Sequence, residues 1–157
     1  MNDPATARSL DYVKSCADPQ KLRQIAANAH KQGNEQVREA ARRKLYEVLP
    51  AEKPGTVEYD VWQSIHALED TLAHERGKTT RLSRTRQKIQ KDKEVQTVAD
   101  LVLKRASEGF HMLIERNLPE LTFEAVALRH PKQFDQRVLD AASMRLREAG
   151  YDPAAYK

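Results

Sequence analysis

Residues 95–116 read VQTVADLVLKRASEGFHMLIER, the longest apolar helical pattern in the chain. Val95, Val98, Ala99, Val102, Ala106, Phe110 and Leu113 recur at the three-to-four spacing that lines one face of a helix. Leu101, Leu103, Met112 and Ile114 widen that face, and a helix apolar over so much of its circumference is buried against several neighbours. The spacing predicts one central core helix over 95–116. β-branched residues nowhere alternate over a strand length and glycine numbers only 5, so strands are not expected. The fold reading is all-α: a compact bundle of about seven helices around that central helix.

Immediately upstream, residues 76–93 read RGKTTRLSRTRQKIQKDK. Eight basic residues stand there against the single acid Asp92, a local charge of +7 in a chain of net +4, so the remainder sums to −3. The basicity is local, which marks a surface rather than a property of the whole molecule. The stretch reads as a loop, a cap at Ser83 and a short helix separated from the core helix by a polar loop. Arg84, Lys88 and Lys91 then share a face. Like charges at that spacing repel unless anions neutralise them, and phosphates do so by taking hydrogen bonds from Arg and Lys, from hydroxyls and from free helix-start N–H groups. The candidate nucleic-acid-binding residues are Arg76, Lys78, Thr79, Thr80, Arg81, Ser83, Arg84, Arg86, Gln87, Lys88 and Lys91, with Gln87, Gln90 and Arg86 able to reach base edges. The alternative is a solvated basic face neutralised by the chain's own acids, Glu69, Asp70 and Glu75 being nearest upstream.

Further upstream, Thr56 caps a helix to about Arg76, with Val61, Trp62, Ile65, Leu68 and Leu72 inward and Gly77 closing it. That helix and the basic one suggest a helix-turn-helix-like unit. Residues 52–55, EKPG, mark the boundary between an N-terminal helical hairpin region, 1–50, and a helical core, 56–150, the two forming one compact domain. In the hairpin region residues 1–8 read as frayed, Ser9 caps a short helix to Cys16, and Asp18-Pro19 starts a helix with Leu22, Ile25, Ala26 and Ala29 inward. Asn34 caps the next, with Val37, Ala40, Ala41, Leu45 and Val48 inward. Downstream of the central stretch, residues 117–119 break the chain. Thr122 starts a helix with Phe123, Val126 and Ala127 inward, and a last helix over about 132–149 carries Val138, Ala141, Ala142 and Leu146.

Residues 30–45, HKQGNEQVREAARRKL, align with 130–146, HPKQFDQRVLDAASMRL, after one gap at Pro131. The match reads either as a duplicated helical hairpin at the two ends of the chain or as two alanine-rich helices alike in composition.

Enzyme signals are weaker. His66, Asp70 and His74 stand four apart on one helix but read as solvated polar residues rather than metal ligands, and GKTT at 77–80 lacks the preceding glycines and strand of a phosphate-binding loop. His30 and His130 read as turn-packing residues and Cys16 as a buried inert thiol. No cofactor, metal or catalytic residue is assigned. One cysteine excludes an intrachain disulfide, and neither a basic-then-apolar N-terminus nor an apolar run of bilayer length is present, so a cytoplasmic protein without a membrane association is expected. The leading expectation is a non-catalytic nucleic-acid-binding protein, DNA favoured over RNA, regulatory or an accessory subunit. A helical adaptor for an acidic protein partner and a nucleic-acid-processing enzyme such as a nuclease are the alternatives.

Overall fold

The computed structural model describes residues 3–157. Among them are eight α-helices, three short 3-10 turns and no strand, and no helix is long and apolar enough to cross a membrane. The chain divides into two compact units, Met1–Ala51 and Glu52–Lys157.

The first unit holds α1 (Pro4–Ser15), α2 (Pro19–Lys31) and α3 (Glu35–Val48). Helix α1 starts earlier than the expected cap at Ser9: Asp3 accepts the Thr6 N–H at 2.7 Å and Pro4 opens the first turn, a combination that needs no partner elsewhere. Residues 3–8 are therefore not frayed, while Met1 and Asn2 lie outside the described residues. Asp18 and Asn34 cap α2 and α3 as the sequence indicates. Asn34 also donates from Nδ2 to Thr6 Oγ1 at 2.9 Å, tying the α2–α3 turn to α1. Leu22, Ala29, Val37, Ala41 and Leu45 are buried.

The second unit holds α4 (Val57–Arg76), α5 (Ser83–Leu103), α6 (Glu108–Glu115), α7 (Phe123–Arg129) and α8 (Gln136–Glu148). The expected continuous helix over 95–116 is not formed. Helix α5 stops at Leu103 and α6 starts after Ser107, whose Oγ accepts the Phe110 N–H at 3.0 Å. Ser107 is thus a cap where the apolar spacing made it an interior residue. Gly109 falls in the first turn of α6, where an added Cβ would lie 3.2 Å from Leu68 Cδ1 of α4. Asn117 takes φ 58 beyond α6, and the Leu118 N–H returns to the Leu113 carbonyl at 2.8 Å, closing that helix.

Upstream, α5 consists of two helical segments, the basic one and the apolar one, that meet in a kink at the single non-helical residue Lys93 (φ 71, ψ 174), which stands where a polar loop was expected. Ile89 and Val98 are both buried in the same core, yet nine residues at about 100° each would place them on opposite faces of a straight helix. The bend brings the two apolar surfaces to one side. The most completely buried helix is the short α7, in which Glu124 to Leu128 are all buried, rather than the 95–116 stretch.

The two hairpins share a cap and a buried set. Asn34 and Asp135 accept the N–H groups of Val37 and Val138, and Val37, Ala41 and Leu45 are buried as Val138, Ala142 and Leu146 are. Their turns are built differently: Gly33 (φ 72) joins α2 to α3, whereas a 3-10 turn over Pro131–Gln133 precedes α8. His30 is exposed 3.8 Å from Glu35, while His130 Nε2 is half-buried 2.6 Å from Asp60 Oδ2.

Candidate nucleic-acid interface

Helix α4 ends at Gly77, whose left-handed φ of 69 suits glycine, and residues 78–82 lead into α5. The GKTT segment is this helix-ending turn, with Thr80 Oγ1 donating to the Lys78 carbonyl at 3.1 Å.

Ser83 does not cap α5. Leu82 occupies the cap position, and its N–H donates to Glu69 Oε2 of α4 at 2.8 Å. The same carboxylate receives both forks of Arg86, Nε to Oε2 and Nη2 to Oε1 at 2.7 Å each, and the guanidinium lies 5.1 Å from the centre of the Trp62 ring. Burial acting alone would raise the pKa of Glu69, but the Arg86 and Leu82 hydrogen bonds outweigh it and hold the carboxyl below its ordinary value. Arg86 therefore positions α5 and is not available to a base edge, and one of the N–H groups at the helix start is already taken.

Lys88 is likewise engaged. Its Nζ lies 2.8 Å from Asp92 and 2.7 Å from Asp100. Twelve residues of straight helix would separate Lys88 and Asp100 by about 18 Å, so this bridge exists only because of the bend at Lys93. The Asp100 hydrogen bond, then that of Asp92, raises the Lys88 pKa.

The other six basic side chains of the stretch behave differently. Arg76, Lys78, Arg81, Arg84, Lys91 and Lys93 are all exposed, and none has an ion pair among the described residues. The three acids expected to neutralise them are engaged elsewhere: Glu69 with Arg86, Asp70 with His74 at 3.4 Å, and Glu75 with Arg116 of α6. Ser83, Arg84, Gln87, Gln90 and Lys91 make the outer face of the first turns of α5, with Thr79 exposed in the loop and Thr80 half-buried. The sequence-based trio Arg84, Lys88, Lys91 thus becomes Arg84, Gln87, Lys91, with Lys93 a further exposed cation.

His66, Asp70 and His74 build no metal site, and no group of three or more His, Cys, Asp or Glu residues suited to a metal ion occurs among the described residues. A further buried ion pair of this unit has no counterpart among the candidate residues of the sequence. Glu124 of α7 is 4% exposed, and Arg145 of α8 donates to its Oε2 at 2.5 Å. Arg145 also donates to the Lys104 carbonyl at the end of α5 and lies 6.0 Å from the Phe110 ring centre. The one sequence signal was an acid inside the otherwise apolar run FEAVAL. The chain matches no protein-family model, and neither a curated protein nor a solved structure matches it significantly.

Proposed function

We propose that this chain is a non-catalytic nucleic-acid-binding protein of the cytoplasm, regulatory or an accessory subunit, which grips backbone phosphates with the loop and outer face that open α5. One observation carries the reading: six exposed cations on consecutive turns of loop and helix have no acid of their own, although the same unit supplies carboxylates to Arg86, Lys88 and Arg116. A polyanion meets that requirement over the whole length of the surface. Duplex DNA is favoured over RNA, with α4 supporting α5 in a helix-turn-helix-like manner and Gln87 and Gln90 the side chains on the outer face that can read base edges.

The test is a salt series of anisotropy titrations against duplex DNA, single-stranded DNA and RNA. If all six cations meet phosphates, log K should fall with log salt at a slope of about −5. Reversing Arg81, Arg84 and Lys91 to Glu should weaken binding to every duplex alike and leave helicity unchanged, since none of the three is buried or paired. Lys88 is left out because its reversal would break the bridge across the bend. Equal binding by wild type and the triple variant would remove the surface as the site, and retention of an acidic protein but of no nucleic acid would favour the adaptor reading.

A further inference from the structure

Between α4, α5, α6 and α7 lies a cavity of about 150 Å³. Its mouth is formed by partly exposed residues, among them Leu82 and Thr85 at the start of α5 and Phe123 of α7. Its buried wall includes Ser64 of α4, Phe110 of α6 and Glu124 of α7. None of the six exposed cations of the basic stretch lines it.

Two features of the wall point to an occupant. Ser64 is 1% exposed, and its Oγ has no hydrogen-bond partner. A buried hydroxyl is normally satisfied, because leaving it dry forfeits its hydrogen bonds to water. Thr71 and Thr97 are also unpartnered, but only Ser64 lines the cavity. The second feature is the Glu124 carboxylate, an acceptor for which Arg145 is the one side-chain donor among the described residues. The rest is largely apolar, with two phenylalanines and Leu68, Leu101 and Leu113. An apolar cavity of about 150 Å³ holds a benzene-sized molecule.

We infer that this cavity is a binding site for a small neutral aromatic molecule carrying one hydroxyl, of the phenol class, with its ring between the phenylalanines and leucines and its hydroxyl on Ser64 and Glu124. An anionic analogue is disfavoured, because its charge would enter beside a buried carboxylate already held by its arginine. A hydrocarbon of the same size fits but leaves Ser64 unsatisfied. The polar wall therefore sets selectivity and the apolar walls set size.

The experiment titrates the full chain with phenol, toluene and benzoate, following backbone amide resonances. Phenol should saturate with a Kd of about 1 mM or tighter, as a seven-heavy-atom ligand of good efficiency does. Shifts should concentrate at Ser64, Thr85 and Phe110. Benzoate should bind at least about tenfold more weakly, and Ser64→Ala should reduce phenol to the affinity of toluene, a loss of about threefold to tenfold for one hydrogen bond. Ser64→Leu, which fills the cavity, should abolish binding of all three. Should that variant fail to fold, Leu101→Phe, placed at the half-buried mouth, serves the same purpose. No saturable phenol shifts at those residues, benzoate binding as tightly as phenol, or phenol binding retained by a folded cavity-filled variant would each overturn the assignment.

Discussion

Glu69 and Glu124 are both glutamates held by an arginine, 17 and 21 residues further along the chain, and both join one helix to another. Their carboxyl groups nevertheless shift in opposite directions. Glu69, with a side chain 12% exposed, takes two guanidinium bonds and a backbone N–H, enough to offset its burial and lower its pKa. Glu124, with a side chain 5% exposed, is buried deeply enough that desolvation prevails over one arginine bond and a weaker bond from its own backbone N–H, and its pKa is raised. Desolvation grows with depth, while the return depends on how many donors reach the oxygens. The first pair sets α5 against α4 beneath the basic surface, and the second ties α8 to the core helix α7.

The largest effect should come from breaking the deeper pair. Arg145→Ala leaves a buried carboxylate without its arginine and also removes the donor to the Lys104 carbonyl at the end of α5. Chemical denaturation should show a loss of about 3–5 kcal/mol. Adding Glu124→Leu should recover much of it, because the remaining orphan charge is then gone. If Arg145→Ala costs no more than Arg86→Ala, depth does not govern the two pairs.

The shallower pair should cost less and carry a different pH signature. Glu69→Gln is expected to lose about 1–3 kcal/mol at neutral pH, from charged hydrogen bonds to Arg86 and Leu82. Because folding lowers the Glu69 pKa, its contribution is present above the ordinary glutamate value of 4.5 and is lost as pH falls through the folded value. Folding raises the Glu124 pKa, so its contribution is present below 4.5 and is lost as pH rises through the folded value. Stability curves should therefore change in opposite senses: Glu69→Gln flattens the loss below pH 4.5, and Glu124→Gln flattens the decline above it. Trp62 fluorescence responds both to the guanidinium beside its ring and to Glu94, which accepts its indole N–H at 3.3 Å, so the part of its acid transition that Glu69→Gln removes is the part that follows the Glu69 titration. A common slope change in both variants would refute the contrast.

What was legible in the sequence is what local geometry decides. Asp18, Asn34, Thr56 and Thr122 cap their helices because a side-chain oxygen reaches an N–H two or three residues on, and Gly77 ends α4 because only a left-handed residue turns there. The break in the 95–116 stretch is not legible, because apolar spacing carries no mark at Ser107 and because the donor to the carbonyl at that break is Arg145, 41 residues away. At the candidate site the same rule divides the residues. The exposure of Arg84, Gln87 and Lys91 follows from helical phase, whereas the engagement of Arg86 and Lys88 does not, because their partners Glu69 and Asp100 lie beyond any helical turn.

The smallest effect is expected at Lys93, which serves as a control on the comparison, since it bends the helix carrying Arg86 without touching either carboxylate. Its φ of 71 with ψ of 174 falls in a region that is essentially glycine's, at a cost of order 1–3 kcal/mol for a side chain. Lys93→Gly removes that steric cost and gives back about 0.5–1 kcal/mol through the greater freedom of glycine in the unfolded chain. A net gain of about 1 kcal/mol should appear in denaturant titrations. The pH slopes assigned to Glu69 and Glu124 should be unchanged, because the Lys88 bridge to Asp100 already holds the bend that glycine accepts freely. A destabilised Lys93→Gly variant would mean that the lysine conformation is unstrained. A changed Glu69 slope would mean that the bend and the Glu69–Arg86 pair act as one unit, and the two ion pairs could then no longer be compared as independent sites.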